Sequence, residues 1–201
     1  MADTKISALN ALTGANVDPA ADVLAIVDTG AGETKKILVN QLSSGLITLA
    51  ADQATTSGTE FDFTGIPAGV KRITMIFSEI SLSGTDNLLV QLGDAGGPET
   101  GTYVSTSGAV INAAAAVTGA STTGFVMLVG GAGAVVSGTM VINLIDSASF
   151  HWVASHSAKV ATTTTIGGGG DKSLSAELTQ IRLTRSGTDT FDAGAVTITY
   201  G

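Results

Sequence analysis

From Thr59 to its last residue the chain is a succession of short runs rich in Val, Ile, Thr and Phe, each broken within a few residues by Gly, Ser, Asp or Asn. Runs of that length suit strands better than helices, and the breaks supply the turns between them. The expectation is an all-β fold, a jelly-roll-like β-sandwich over residues 59–201, preceded by a short N-terminal arm that contains a β-hairpin.

Side-chain parity places the candidate core. In the strand expected over 70–77, Ile73, Met75 and Phe77 share a face, but the next apolar pair, Ile80 and Leu82, has the opposite parity. One inserted residue restores a common face, so a bulge is expected near Ser78 or Glu79. The runs 139–145 and 150–155 flank a turn at 146–149, and the second sets Phe150, Trp152 and Ala154 on one face. The last strand, 193–200, alternates Val196, Ile198 and Tyr200 against Thr197 and Thr199, which leaves one face buried and the other wet or intersubunit. Phe61, Phe63, Ile73, Phe77, Trp152 and Tyr200 are the candidate core anchors.

Residues 1–45 read as a separate arm. Within it, 22–28 and 34–39 are short apolar runs joined by a Gly-rich turn at 29–33, which is a hairpin pattern. An isolated hairpin is marginally stable in water, so this one needs a partner surface. Leu9, Leu12, Leu24, Ile26, Ile37 and Val39 are the candidate anchoring or oligomer contacts. Asn40 is a possible cap, with Leu42, Leu46 and Leu49 at near-helical spacing, so a short helix or turn is expected there; residues 46–58 read as a linker.

Ser-Gly-Thr occurs at 57, 83, 137 and 186, twice followed by Asp, without a common period. These are expected to be turns and not a solenoid repeat. Gly167 to Gly170 lack the GK[ST] ending of a phosphate loop and read as a hairpin tip.

Composition limits the function. Only 13% of residues are charged, against about 25% in an average soluble domain. A lone monomer would cover its surface poorly, and the preferred explanation is surface buried between subunits, as in obligate oligomers. Net charge is −8 with nine Lys and Arg and no basic patch, which argues against nucleic acid. There is no cysteine, hence no disulfide, thiolate metal site or cysteine nucleophile. The first residues are too polar for a signal peptide, and no run is long enough to span a membrane, so neither export nor a membrane partner is expected.

No catalytic constellation emerges. The two histidines, His151 and His156, fall on opposite faces of one strand, which argues against a two-histidine metal site within one chain and leaves only copies of one histidine gathered at a trimer axis as a route to one. Asp62, Glu79, Asp86, Asp94, Asp171, Asp189 and Asp192 are scattered and read as solvated turn carboxylates. There is no nucleophile elbow, and aromatics at 4% give sugars few platforms. The expectation is a non-enzyme without cofactor or metal.

Two stretches carry a resemblance. KISALNALTGANVDPAADVLAIVDTGAGETKKILVNQL, residues 5–42, resembles the N-terminal module of many tailed-bacteriophage virion proteins, among them tail-fibre and head-fibre or decoration proteins. FDFTGIPAGVKRITMIFSEISLSGTDNLLVQLGDAGG, residues 61–97, with LSAELTQIRLTRSGTDTFDAGAVTITYG, residues 174–201, resembles a β-sandwich domain of phage and prophage structural proteins. The resemblance implies a virion protein assembled in the bacterial host cytoplasm. Its arm docks on the particle while three β domains project as a knob or short fibre, with residues 98–173 as the exposed binding or packing region. The partners implied are further copies of itself in a homotrimer and the phage major capsid protein, or else tail or baseplate proteins. The absence of a long shaft favours a capsid decoration, cement or head-fibre role. A short tail fibre or adhesin whose loops between about 95 and 172 bind a host-surface glycan or protein is the alternative, and a carbohydrate-binding module ranks below both.

Overall fold

The computed structural model describes residues 23–28, 33–38, 47–111, 117–160, 162 and 164–201, and the chain divides into two compact units, Met1–Leu46 and Ile47–Gly201. In the first unit, Val23–Asp28 (β1) and Glu33–Leu38 (β2) form the expected antiparallel hairpin, with Leu24 opposite Ile37 and Ile26 opposite Lys35. Leu9, Leu12, Val39, Asn40 and Leu42 lie outside the described residues.

The second unit is all-β, and no helix occurs among the described residues. Its strands are Thr48–Leu49 (β3), Gln53–Ala54 (β4), Phe61–Thr64 (β5), Arg72–Leu82 (β6), Leu88–Asp94 (β7), Gly97–Pro98 (β8) and Val104–Ile111 (β9). They continue as Val117–Ser121 (β10), Phe125–Met127 (β11), Val136–Asp146 (β12), His151–Val160 (β13), Thr164–Ser173 (β14), Gln180–Arg185 (β15) and Phe191–Tyr200 (β16). A large antiparallel sheet has the order β10-β9-β14-β13-β12-β6-β16-β3, with β4 also on β16. A smaller one has the order β11-β7-β15-β5, with β8 on β7.

One folded ribbon joins the sheets. β6 pairs with β16 in the large sheet, and their continuations β7 and β15 pair in the small one. The ribbon crosses between layers at two Ser-Gly-Thr-Asp turns, 83–86 and 186–189. There Ser83 N donates to Thr190 O and Ser186 N to Asn87 O, both at 2.9 Å. The side chains repeat this reciprocity: Thr190 N donates to Ser83 Oγ and Asn87 N to Ser186 Oγ, both at 3.0 Å. The strands of 61–97 and 174–201 are thus one continuous unit, and most of 98–173 builds the other half of the large sheet.

Strand β6 is bulged where it pairs with β12. Ser78 and Glu79 together oppose Ser137 of β12, and Glu79 takes a left-handed φ of 54° with its amide on Ser137 Oγ at 3.1 Å. The bulge is where parity requires it, and Ile73, Met75, Phe77, Ile80 and Leu82 all end up buried. Gly194 on the other side of β6 has φ +94°, and a Cβ there would sit 2.5 Å from the Ser78 and Glu79 carbonyl oxygens. That position needs glycine.

The core lies between the sheets. Trp152, Phe77, Met140 and Ile198 come from the large sheet and Phe63, Leu92, Phe125 and Ile181 from the small one, all 6% exposed or less. Phe61 and Tyr200 are partly buried at its margin, with Phe61 edge-on to Phe191 at a ring separation of 5.1 Å.

Four expectations are corrected. Residues 46–58 are not a free linker: β3 and β4 pair with β16, and the Thr55 amide donates to Gly194 O at 2.8 Å. The near-helical leucine spacing therefore loses, at Leu49, to the open edge of β16, whose backbone groups need partners. Ser137–Gly138–Thr139 is not a turn but part of β12, where Ser137 receives the bulge. Gly167 to Gly170 are not a hairpin tip; they lie in the middle of β14, paired on both sides.

The glycines of β14 have a packing reason. His156, Gly168 and Ser107 are in direct register on β13, β14 and β9, and the imidazole reaches across Gly168 to place Nε2 3.0 Å from Ser107 Oγ. A Cβ on Gly168 would collide with the Thr106 carbonyl oxygen and lie 2.7 Å from that ring. Ser105 and Ser107 in turn accept the Val126 and Leu128 amides at 2.9 and 3.3 Å. The outer edge of β11 is thereby closed by side chains of the large sheet, which removes one free edge.

Candidate functional site

Three polar clusters among the described residues of the second unit combine charged or titratable groups with buried or partly buried partners, and each is built as a structural tie. Lys172, 3% exposed, meets Glu99 at 2.5 Å, donates to Thr102 Oγ1 at 2.8 Å and lies 5.3 Å from the Tyr103 ring centre. Burial alone would raise the Glu99 carboxyl, but the Lys172 ammonium and the Ser175 amide outweigh it and hold the carboxyl below its ordinary range. Asp94 is held low by the Ser175 hydroxyl and then by the Gly96 amide. It is buried, so the expectation of a solvated turn carboxylate fails for it.

The second cluster is Arg182, which grips Asp62 with Nε and Nη2 at 2.6 and 2.7 Å and reaches Glu60 with Nη1 at 2.7 Å. The Asp62 hydrogen bond raises the guanidinium pKa further. Asp86 and Asp189 are engaged in structure too, and Asp192, although exposed, accepts a hydrogen bond from the Ser81 hydroxyl; Glu79 is exposed.

The third is Ser107 and His156, a hydroxyl beside an imidazole. Both are buried, at 2% and 7% exposure, beneath the sheet, and burial depresses the imidazole to about 4. A nucleophile must reach its substrate. This pair faces core.

His151 lies on the opposite face, 3.8 Å from Asp171. Among the described residues no three of His, Asp and Glu gather as metal ligands. A cleft of about 480 Å³ opens at the end of the sandwich near Thr85, Asn87, Leu128 and Ile166, and its lining has neither an aromatic ring nor a charged group. That is poor equipment for binding a sugar.

The outer face of the large sheet is different in kind. Four registered rows of side chains cross it. The first comprises Arg72, Asn143, Val153, Asp171 and Val104; the second comprises Leu49, Thr199, Thr74, Val141, Ser155, Gly169 and Thr106. The third is Thr197, Ile76, Thr139, Ser157, Gly167 and Gly108, and the fourth is Ser137, Lys159, Thr165 and Val110. The two middle rows carry no charge.

Among the described residues the large apolar side chains left exposed are Ile47, Leu49, Val104, Val110 and Ile145, at 58–75% exposure. By register Leu49, Val104 and Val110 belong to this face; Ile47 precedes β3, and Ile145 sits at the irregularity near the end of β12. Six long strands at about 4.8 Å spacing and about eight residues at 3.3 Å give it roughly 800 Å². No protein-family model matches the chain, and no curated protein or solved structure is detectably similar to it.

Sequence reasoning expected the open face of the last strand to be wet or intersubunit but did not identify the surface. The signal was present in the Ser, Thr, Gly and Val residues at alternate positions of 104–110, 139–143, 153–157 and 165–169. It becomes a surface only when the order of the strands is known. Of the anchoring candidates, Leu24, Ile26 and Ile37 occupy the hairpin strands, and the core candidates Phe63, Ile73, Phe77 and Trp152 are all buried.

Proposed function

We propose that this chain is a non-catalytic structural subunit of a tailed-phage particle, a homotrimeric capsid decoration protein of the head-fibre or cement kind. The arm docks on the major capsid protein and the β domain projects from it. The observation that carries the structural role is the broad outer face of the large sheet, with uncharged middle rows and Leu49, Val104 and Val110 exposed on it. A broad face with no charge in its middle rows has the charge-depleted centre that contact surfaces between subunits show. The phage assignment is supported by the resemblance of residues 5–42, 61–97 and 174–201.

The mechanism is mass action. A protein that binds the assembled shell and not its dispersed subunits stabilises the shell by RT ln(1 + [L]/Kd), about 2.7 kcal/mol per site at one hundred times Kd. It requires contact area and no bond chemistry, in keeping with the burial of Ser107 and His156.

The test is to express the chain without residues 1–45 in cells producing particles. The proposal expects a folded β domain absent from purified particles, while the full chain is incorporated. Incorporation of the shortened chain at the full-length level overturns the docking role of the arm.

A further inference from the structure

We infer that the outer face of the large sheet is covered by other copies of this same chain; the inference rests on the structural reading above and names the partner of that surface. Three observations lead to it.

The first is charge. Each copy carries a net charge of −8, so two copies repel unless the surfaces that meet are free of like charge. The middle rows of this face satisfy that condition, with Lys159, Arg72 and Asp171 set in the rows at its two ends.

The second is area. Stable protein interfaces bury about 800 Å² on each partner, and the six long strands offer roughly that much. The isolated apolar residues are distributed over it from Leu49 at one edge to Val104 and Val110 toward the other.

The third is the monotony of the chemistry. Hydroxyls, methyls and bare backbone repeat in both middle rows, which leaves no pattern of charge to select a foreign protein. Such a face is matched by itself: its Thr and Ser hydroxyls both donate and accept, so a second copy supplies complementary partners without a designed counterpart. Small side chains at Ser155, Ser157, Gly167 and Gly169 let a neighbour approach the middle of the sheet closely.

The experiment is sedimentation of the full chain over a concentration series, comparing the unaltered protein with Ser155→Arg and Thr106→Glu. Both positions are exposed, so folding is left intact and circular dichroism verifies it. A Thr188→Lys change in an exposed turn off this face serves as the control. The inference expects a multiple of 19.9 kDa for the unaltered chain and the control, and dissociation at least tenfold easier for the two face variants.

A single-copy mass for the unaltered chain at micromolar concentration overturns the inference, whether the face is bare or covered by the chain's own arm. Assembly of both face variants like the unaltered protein overturns it as well. Particle incorporation, scored in parallel, separates the two proposals. A monomer that still joins particles leaves the structural role standing and assigns the face to the shell, whereas an oligomer that never joins particles keeps the self-association and removes the virion role.

Discussion

Asp86 and Asp189 cap each other: the Asp86 amide donates to Asp189 Oδ2 at 2.7 Å, and the Asp189 amide donates to Asp86 Oδ2 at 2.8 Å. The two residues stand 103 positions apart, at the ends of identical Ser-Gly-Thr-Asp turns, and the exchange pins the corner where the ribbon passes from one sheet to the other. Each turn needs its glycine, because a Cβ on Gly84 or Gly187 would collide with the opposite carboxylate. A repeated tetrapeptide therefore serves as a clasp and not as a sign of internal repetition.

The clasp predicts mutual dependence. Asp86→Ala and Asp189→Ala should each destabilise the fold by about 1–3 kcal/mol, since each leaves a partly buried amide without an acceptor. The double variant should cost less than the sum, with a coupling of at least about 0.5 kcal/mol. Urea unfolding of the four proteins measures this, and strictly additive losses would show that the two turns act independently.

The buried His156 predicts a dependence on pH. Its folded pKa, about 4, lies below the ordinary 6.5, and the group across from it is the neutral Ser107 hydroxyl. As pH falls, the unfolded chain takes up the proton first, so stability is complete above about 6.5 and declines as pH approaches 4. Between pH 7 and pH 5 the loss should be about 2 kcal/mol. The carboxyls held low at Asp94, Glu99 and Asp146 give up their contribution at lower pH, which separates the two effects. Urea midpoints at fixed protein concentration read the loss, and a His156→Gln variant should abolish most of the slope over that interval.

Neighbouring glycines in β14 should behave in opposite ways. Gly168→Ala drives a methyl into the Thr106 carbonyl oxygen and the His156 ring and should cost about 1–3 kcal/mol. Gly167→Ala adds its methyl on the exposed face at an ordinary 3.6 Å from the nearest atom, and should be neutral or stabilising by up to about 1 kcal/mol. Thermal unfolding distinguishes them, and equal effects at the two sites would contradict the register of His156, Gly168 and Ser107.

Much of this fold is written locally. The hairpin of the arm follows from two apolar runs around a Gly-rich turn, and the bulge at Ser78 and Glu79 and the inward setting of Trp152 follow from parity over short stretches. What resists reading is set by distant partners. The four glycines of β14 remove the side chains that would mark a strand, and the reason for Gly168 is visible only once β9 and β13 lie on either side of it and His156 reaches over it to Ser107. β3 and β4 are strands because β16, about 150 residues later, has an open edge there. Asp94 looks like any turn aspartate until Ser175 hydrogen-bonds to it from 81 positions away. The outer face is legible residue by residue as Ser, Thr, Gly and Val, but as a surface it exists only after six strands are set side by side.

The most direct test of the account is electron microscopy of purified particles, counting copies of this protein and recording the symmetry of their positions. The account predicts many copies at symmetry-related capsid sites, each a cluster of three β domains projecting from the shell. A few copies confined to the tail, or none on the particle, would contradict it.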